Sequence, residues 1–559
     1  MVSKKSDWKQ KISNLPTGYL YFLFFAISYA SLYFSFIQGE KIKLGHDSTF
    51  HLTRIEALYR AISKGDIFPK ITYFFAEGMG YAASIFYSDI FLYPAAFLRL
   101  AGFSLGLSYM YYLVIITFFT FLSSFYSFHF VSQSKAKSVL FALLYGLSSY
   151  RGADVVVRGA LGESLALIFL PIAFAGLIQI VRGNEKNFYI LSLGMAGLFF
   201  SHVLSTIIFS IFIVGYLLLN SRLIMKEKKR ILYLAYATLV TVLMVAVNLF
   251  PIIEQLTFQK LKVDAKPIFF LQPSSSAITD YIKSAFLNEG HNNLGWLIFL
   301  VLLVLILRIT KITTQNKQFL FLGIVFIFLA TDMFPHYLFH DTPLNAIQFP
   351  WRYFLIVTIC ITWAFADSFL ELFSKHPIFI ALCIACFSLI GVIQYQLANS
   401  QEYRIYYEHV NVSGRDLGAG AEYLPAEMDY QKILTEKKEI RHQSSEIKLS
   451  KIKRTYNTIS FEYDAKKPTK VTLPIIYYKG YKTKIIGSGK SSSVKESENF
   501  RGLSELMLSG TGKLKFWYEK TIVQKLSFWV TIITWAIFIF RRTSRKLNIR
   551  HSNFNEFVE

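Results

Sequence analysis

Cysteine and charged residues are scarce in this sequence. The 559 residues include three cysteines, Cys360, Cys383 and Cys386, and all three lie in apolar segments. This placement excludes a disulfide framework and a zinc motif built from clustered cysteines. Charged residues make up 17% of the chain, against about a quarter in soluble proteins. The low charge content therefore argues against a soluble globular protein of this length.

Hydrophobic residues are correspondingly abundant and form long apolar segments. Hydrophobic residues make up 53% of the chain and aromatic residues 17%. Several segments approach the roughly 20 residues needed to cross about 30 Å of hydrocarbon. We predict an all-α polytopic membrane protein of about 12 transmembrane helices, with a small external β-rich domain before the last one. The candidate spans are residues 19–37, 107–131, 138–150, 163–181, 188–200, 203–220, 231–251, 292–309, 318–333, 351–370, 377–394 and 526–540.

The net charge of +23 is distributed in a way that indicates membrane topology rather than nucleic-acid binding. Basic residues cluster in short loops beside the apolar segments, as cytoplasmic loops do under the positive-inside rule. Placing these loops inside predicts a multi-pass protein of the cell membrane with both termini cytoplasmic. Loops 38–106 and 395–523 are then extracellular. No small-residue cleavage site follows residues 19–37, so we predict a retained helix there.

Three regions follow from this topology. Residues 1–394 form the multi-helix transmembrane module, 395–523 the external β-rich domain, and 524–559 the final helix with a basic cytoplasmic tail. We find no internal repeat, so the inverted repeats of secondary transporters have no support. Residues 88–103 are short for a span and contain a proline. We interpret them as a re-entrant or juxtamembrane segment, with a crossing as the alternative.

The predicted external domain is based on four segments with the composition of strands. "TISFEYDA", "KVTLPIIYY", "YKTKIIGSG" and "KLKFWYEKT" are rich in β-branched and aromatic residues and partly alternate. Clusters of glycine, serine and lysine separate them. These features predict a small antiparallel sheet.

The stretch "GHDSTFHLTRIEALYRAISKGDIFPKI" carries the first candidate functional residues. Its apolar spacing predicts a helix over 48–63 that Asp47 or Ser48 can cap, and a glycine and a proline follow its end. Asp47, His51 and Arg54 are spaced to share one helix face. Two interpretations stay open at this point. Either Asp47 is an ordinary helix cap on a face exposed to water, or the three side chains line a site.

Further charged and polar residues occur in or beside apolar segments. Arg158 and Glu163 lie at the turn 150–162, His202 interrupts an apolar run, and Arg352 opens another. Charges at membrane depth are costly and usually face a bundle interior or a wet cavity. Together these residues predict a polar cavity on the external side. Taken singly, each arginine also fits an interfacial anchor, and His202 fits a contact between helices.

Several motifs resemble the GT-C superfamily of membrane glycosyltransferases. They include "HDSTFHLTRIEALYRAISKGDIFPKI" and "GMGYAASIFYSDIFLYP". "VRGALGESLALIFLPIAF", "LFFSHVLST", "IQFPWRYFL" and "EYLPAEM" resemble one bacterial branch in particular. That branch is the membrane family named after 6-pyruvoyl-tetrahydropterin synthase, although nothing here resembles the soluble synthase. The resemblance covers nearly the whole chain.

The resemblance implies transfer of a sugar from a polyprenyl-phosphate-linked donor to a cell-envelope glycan acceptor at the external face of the bilayer. In that reaction, arginines stabilise the phosphate leaving group and one carboxylate activates the acceptor hydroxyl. It implies Asp47 as general base and Arg352 and Arg158 as phosphate ligands. His51, Arg54, Glu163 and His202 would line the cavity.

The sequence also departs from the superfamily pattern. Asp47 stands alone where relatives carry an acidic pair, so the sequence predicts no metal-ligand set, and a divalent metal held by His46, Asp47 and His51 is the open alternative. Asp89 is a second candidate acid. Two other function classes remain: a transporter or flippase for lipid-linked sugars, and a non-catalytic cell-envelope assembly protein whose β-domain binds polysaccharide.

Overall fold

The structure is a computed structural model. It describes residues 16–555 except for 266–268, 291–292, 374–376, 401–402, 436–437 and 443–444. The helices are α1 (Thr17–Tyr33), α2 (Ser48–Ser63), α3 (Ala83–Phe86), α4 (Tyr93–Leu100), α5 (Leu105–Ser132), α6 (Lys135–Gly146), α7 (Ser149–Gly152), α8 (Leu161–Arg182), α9 (Phe188–Ser201), α10 (Val203–Leu219), α11 (Ser221–Lys226), α12 (Lys229–Met244), α13 (Ala246–Phe258), α14 (Lys262–Ala265), α15 (Ile278–Leu287), α16 (Trp296–Leu307), α17 (Thr314–Ala330), α18 (Phe354–Leu372), α19 (Pro377–Asn399), α20 (Tyr430–Thr435) and α21 (Ile522–Asn555).

Several of these helices are long and apolar enough to cross a membrane, which indicates a membrane protein. In the described part of the chain they number five: α5, α8, Pro350–Leu372 (which contains α18), α19, and Ile522–Arg541 of α21. The pair α12 and α13, bent by 75°, adds a sixth if it forms a single span.

The prediction of about 12 spans is not confirmed. The apolar segments predicted over 138–150, 188–200, 203–220 and 292–309 fold as α6, α9, α10 and α16, which have 12 to 17 residues. At 1.5 Å per residue these helices are about 18 to 26 Å long, shorter than the hydrocarbon core of a bilayer. Residues 88–103 hold only the eight-residue α4, and its length fits the juxtamembrane interpretation.

The centre of the helical part is an aromatic core between α5, α6, α8 and α18. The Trp363 ring lies 4.5 Å from Phe128, 5.0 Å from Phe141 and 4.9 Å from Phe174, measured between centroids. All four side chains are at most 2% exposed. Fixing these helices against one another also fixes the turn between α6 and α8.

An antiparallel sheet near the C-terminus confirms the predicted β-rich domain. Its strands are β4 (Arg441–His442), β5 (Ile447–Arg454), β6 (Thr458–Ile476), β7 (Tyr481–Gly487), β8 (Lys490–Ser491), β9 (Lys495–Glu496) and β10 (Leu503–Tyr518). The central order is β4-β6-β10-β7, with β5 beside β6 and with β8 and β9 beside β10. The first two predicted strand segments form the single strand β6. An irregularity in its pairing with β10 accommodates the residues around Pro468, which has no N–H to donate.

The chain between α19 and the sheet returns to the first loop. Strands β1 (Ile37–Gln38), β2 (Lys41–Lys43) and β3 (Arg404–Tyr406) form a second small antiparallel sheet. The predicted domain 395–523 thus begins inside α19 and sends its first strand to the first loop. Residues 71–86 share a hydrophobic core with the larger sheet, and the Ile476 N–H donates to the carbonyl of Met79 at 3.0 Å. The first loop and the C-terminal region therefore pack as one unit.

Candidate functional site

The start of α2 lies directly against the turn that precedes α8. The Asp47 N–H donates to the carbonyl of Arg158 at 2.7 Å. A Cβ on Gly45 would lie 2.4 Å from the Arg158 carbonyl carbon, and a Cβ on Gly159 would lie 2.0 Å from the Ser48 hydroxyl oxygen. Gly159 also has φ +66°, in the left-handed region that glycine tolerates. Both positions must be glycine for the two segments to touch.

Arg158 is the centre of the charged network at this junction. It follows a π-helical turn, Ala153–Val157. Its Nη1 donates to Asp154 at 2.7 Å and to Glu163 at 2.8 Å, and its Nη2 donates to Asp47 at 3.3 Å. The guanidinium also lies 4.4 Å from the Trp351 ring centroid. The Nη1 and Nη2 groups of Arg158 therefore donate to three carboxyl groups of the protein.

Glu163 joins the two arginines of the network. It lies in the first turn of α8, its side chain is 3% exposed, and its Oε1 accepts from Arg352 Nε at 2.9 Å. The Tyr150 hydroxyl donates to Oε2 at 3.4 Å. An ionised carboxylate at this depth requires paired cations, and the two guanidinium groups supply them.

Arg352 has partners for only part of its guanidinium group among the described residues. It lies in a 3₁₀ turn, Pro350–Tyr353, and its Nη1 donates to the carbonyl of Ile347 and to Gln348 Oε1. Within the described residues its Nη2 makes no hydrogen bond. The side chain is 9% exposed, so this N–H group is held in place at the edge of the cluster.

Asp47 occupies the N-cap position of α2, but its side chain makes no capping hydrogen bond. Its Oδ2 accepts from Arg158, and Oδ1 has no partner among the described residues. The side chain is 42% exposed, far more than Glu163 or Arg158. Asp47 is thus the accessible carboxylate of the network, and the geometry does not support the interpretation as an ordinary helix cap.

His51 and Arg54 follow Asp47 on α2 but have different surroundings. His51 is 4% exposed, its ring lies 5.8 Å from that of Tyr87, and its Nδ1 is buried without a hydrogen-bond partner in the described part of the chain. Burial and the Arg54 charge lower the pKa of His51 well below its usual value. His51 is therefore a neutral imidazole facing the cluster.

Arg54 does not join the Asp47 network. Its Nη2 donates to the carbonyls of Tyr87 and Ser88 and to Asp89 Oδ1, all within 3.0 Å. Its guanidinium lies 3.9 Å from the centroid of the Tyr87 ring. The helix places Arg54 on the same face as Asp47, as the spacing predicted. The Arg54 side chain, however, binds the loop 87–89 and not Asp47. Asp89, the second candidate acid, forms an ion pair with Arg54 through this contact.

His202 completes the edge of the cluster. The Ser205 N–H donates to His202 Nδ1 at 3.3 Å, so a neutral ring carries its proton on Nε2. That nitrogen lies 3.8 Å from Glu163 Oε1. The ring also lies 6.1 Å from Tyr87. His202 thus faces the same carboxylate as the two arginines.

Sequence reasoning did not select Glu422 as a site residue. Its carboxylate accepts the N–H groups of Gly420 and of Glu422 itself, and burial raises its pKa, while Arg352 and Asp47 lie within electrostatic range. The motif "EYLPAEM" contained the only signal for it. The structure therefore adds a second partly buried carboxylate that approaches the site from the C-terminal region.

The loop that carries Glu422 is fixed from three sides. Its carbonyls accept from the N–H groups of Lys262 and Val263. The Tyr423 ring stacks on Phe86 with centroids 4.7 Å apart, and the Tyr478 hydroxyl of the sheet donates to the Tyr423 carbonyl. The loop therefore connects the sheet to the site.

The histidines around Asp47 are not arranged as metal ligands. His46, directly before Asp47 in the chain, is exposed, whereas His51, four residues after Asp47, is buried. Within the described ranges, no group of three or more histidine, cysteine, aspartate or glutamate side chains is placed to hold a metal ion. The charged and titratable groups that the structure places at the site are carboxylates, guanidinium groups and imidazoles.

No family model matches the sequence. The chain is similar to an uncharacterized protein of Lactococcus lactis subsp. cremoris (strain MG1363), with 26% identity over 231 residues. The similar region covers 40% of this chain and 38% of that protein. A likeness of this extent shows neither a family nor a function.

Proposed function

We propose that this protein is a membrane glycosyltransferase of the GT-C type. It moves a sugar from a polyprenyl-phosphate-linked donor to an extracellular cell-envelope glycopolymer. The observation that carries the proposal is a single accessible carboxylate, Asp47, held beside the buried pair Arg158 and Arg352. Inverting transfer from a phosphate leaving group needs one base and a stabilised leaving-group charge, and this cluster contains both.

Asp47 is the general base in this proposal. Its free Oδ1 takes the proton of the acceptor hydroxyl as that oxygen attacks the anomeric carbon of the donor sugar. The bond from the anomeric carbon to the phosphate oxygen breaks, and polyprenyl phosphate leaves with the electron pair. Arg158 keeps Asp47 oriented through the contact at 3.3 Å.

Arg352 binds the phosphate of the donor. Its Nη2 is the donor group that the network leaves open, whereas the Arg158 guanidinium already contacts three carboxyl groups. Glu163 contacts both Arg352 and Arg158 and fixes their positions relative to each other. His51 and His202 line the cavity as neutral rings. Arg54 acts at a distance, by holding the loop that carries Tyr87. A hydrogen bond from arginine to phosphate is charge-assisted and strong.

The first loop and the β-sheet pack on the same side of the helices, which supports a shared extracellular position for loops 38–106 and 395–523. Both termini are then cytoplasmic, as the basic loops favour. In this arrangement the donor lipid remains in the bilayer while the acceptor approaches from outside.

The test is sugar transfer by the purified protein in detergent, with a polyprenyl-phosphate sugar as donor. Asp47→Asn is expected to lower kcat by roughly 10²- to 10⁴-fold, the usual contribution of a general base. Asp341→Asn, an exposed residue, is the matched control and should leave transfer unchanged. Transfer in detergent also separates an enzyme from a flippase, which needs a sealed bilayer.

Two results would contradict the proposal. Wild-type transfer by Asp47→Asn would remove Asp47 as the base, and loss of transfer in Asp89→Asn alone would reassign that role. If no donor sugar supports transfer, while sealed vesicles containing the protein translocate the lipid-linked sugar, the protein is a flippase.

A further inference from the structure

The β-sheet is strongly basic compared with the surrounding protein. Residues 441–518 contain sixteen lysines and arginines and six aspartates and glutamates. One face of the sheet is covered by the buried side chains that pack on the first loop. Alternation along the strands sends the lysines of β7 and β10 to the opposite face. Much of the positive charge therefore lies on the face of the sheet that does not pack on the first loop.

Three of these lysines form a row across four strands, with one serine between them. Lys484 of β7 pairs directly with Lys515 of β10, Lys515 pairs with Ser460 of β6, and Ser460 pairs with Lys453 of β5. Neighbouring strands are 4.7–4.9 Å apart, so the row extends over about 14 Å. Lys482 and Lys513 lie on the same face, each two residues along its strand from the row and on opposite sides of it. We call this surface the lysine row.

The central charges of the lysine row are not paired within the described residues, although the neighbouring Lys513 lies opposite Glu462 of β6. Like charges directly opposite each other on neighbouring strands destabilise a sheet, and Lys484 and Lys515 are such a pair. None of Lys453, Lys484, Lys513 and Lys515 forms an ion pair in the described ranges. Other lysines of the same sheet do: Lys451 lies 3.1 Å from Glu462 and Lys470 lies 2.8 Å from Glu498.

The remaining residues of the surface indicate the kind of partner. Trp517 is half-buried beside Lys515, whose Nζ lies 5.6 Å from the ring centroid, and an indole face of this kind stacks on sugar rings. Ser460 and Thr458 offer hydroxyl groups between the charges. A surface that inserts into a bilayer presents a broad apolar face, whereas the exposed large apolar side chains next to the lysines are the separate residues Ile452 and Ile486. The surface suits a polymer with sugars and negative charges better than a lipid surface.

We propose that the lysine row binds an anionic glycopolymer, one that carries phosphate groups along its backbone. The lysines contact the phosphates, and Trp517 contacts a sugar ring. This binding does not depend on sugar transfer by the Asp47 site. If that site does transfer sugar, the lysine row would retain the acceptor polymer near it.

The experiment uses the full chain in neutral detergent and long-chain inorganic polyphosphate as the probe. The double variant Lys484→Glu and Lys515→Glu reverses both central charges. Its control, Lys466→Glu and Lys467→Glu, makes the same change of net charge at exposed positions elsewhere on β6. We expect polyphosphate binding at about 0.1 M salt to fall at least tenfold in the first variant and less than threefold in the control. Wild-type binding should weaken steeply up to about 1 M salt, where the screening length falls to about 3 Å.

A charge-neutral variant and two further binding partners, anionic phospholipid vesicles and neutral dextran, complete the design. Lys484→Gln with Lys515→Gln should weaken binding less than the reversal does. Its thermal unfolding temperature should be no lower than that of the wild type, because the repulsion between the two lysines is removed, and this excludes a folding defect. Equal losses in the reversal and control variants would overturn the proposal, because net charge alone would then explain binding. It would also be overturned if the reversal lowered binding to anionic phospholipid vesicles while the wild type did not bind polyphosphate. Neutral dextran binding as tightly as polyphosphate would refute the charge-based mechanism.

Discussion

Replacing Glu163 with glutamine removes the negative charge that two buried arginines share. Glu163 lies 2.8 Å from Arg158 Nη1 and 2.9 Å from Arg352 Nε, and the three side chains are at most 9% exposed. A unit charge pair at about 4 Å interacts by about 4 kcal/mol at an effective dielectric constant of about 20. Because desolvation offsets part of this energy, removing one partner of a buried ion pair costs about 3–5 kcal/mol. Arg352 loses more than Arg158, which keeps Asp154 and Asp47.

The assay is thermal or denaturant unfolding of the purified protein in one detergent, compared across variants. Glu163→Gln should be destabilised by about 3–5 kcal/mol, whereas Glu427→Gln, at an exposed pair with Arg501, should change stability by less than about 1 kcal/mol. Adding Arg352→Met to Glu163→Gln removes the unpaired charge and should recover part of the loss. The reasoning is refuted if Glu163→Gln unfolds like the wild type, or if the two substitutions destabilise additively.

Three further predictions concern other parts of the molecule. Gly159→Ala should lower the free energy of unfolding by about 1–3 kcal/mol, because the added Cβ causes overpacking as well as strain at a left-handed φ. Gly39 has φ +61°, but a Cβ added there would meet nothing within 4 Å. Gly39→Ala should therefore cost less in the same unfolding assay. Burial lowers the pKa of Lys70 to about 8, so the folded state releases this proton before the unfolded state does. Stability should therefore rise between about pH 8 and 10.5, and Lys70→Met should remove that rise in pH-dependent unfolding curves. Glu422 approaches the Asp47 site from the C-terminal region, and we expect it to contact the acceptor. Glu422→Gln should therefore raise the KM for the acceptor more than it lowers kcat in the transfer assay, and a change in kcat alone would contradict this role.

Local sequence signals predicted the elements that depend on local chemistry. The helix over 48–63 is present with these bounds because its apolar spacing and its flanking glycine and proline act within the segment. The strands of the sheet follow from β-branched composition and turn residues in the same way. The association of Arg158, Glu163 and Arg352 was predicted from the cost of charge near a membrane, since such charges must find one another. Asp47 was added to this group by the resemblance to the GT-C superfamily.

The features that sequence reasoning missed depend on distant parts of the chain. Arg54 shares the helix face of Asp47, but three acceptors in the loop 87–89 bind it, and helix periodicity cannot report those acceptors. Glu422 reaches the site through a loop held by the sheet and by Lys262. The predicted number of spans is not confirmed, because apolar composition marks burial in a helical bundle as strongly as it marks exposure to lipid.

The pairing of β2 with β3 has a consequence for biosynthesis. Lys43 pairs with Arg404, so the small sheet beside the Asp47 loop cannot close until the ribosome has made the residues up to Tyr406. At about 5–20 residues per second this takes about 20 to 70 s after Lys43 is synthesised. During that interval the Asp47 loop has neither its third strand nor the loop carrying Glu422. The site is therefore completed only late in translation, and a nascent chain that stops before residue 404 has inserted helices but an unfinished site.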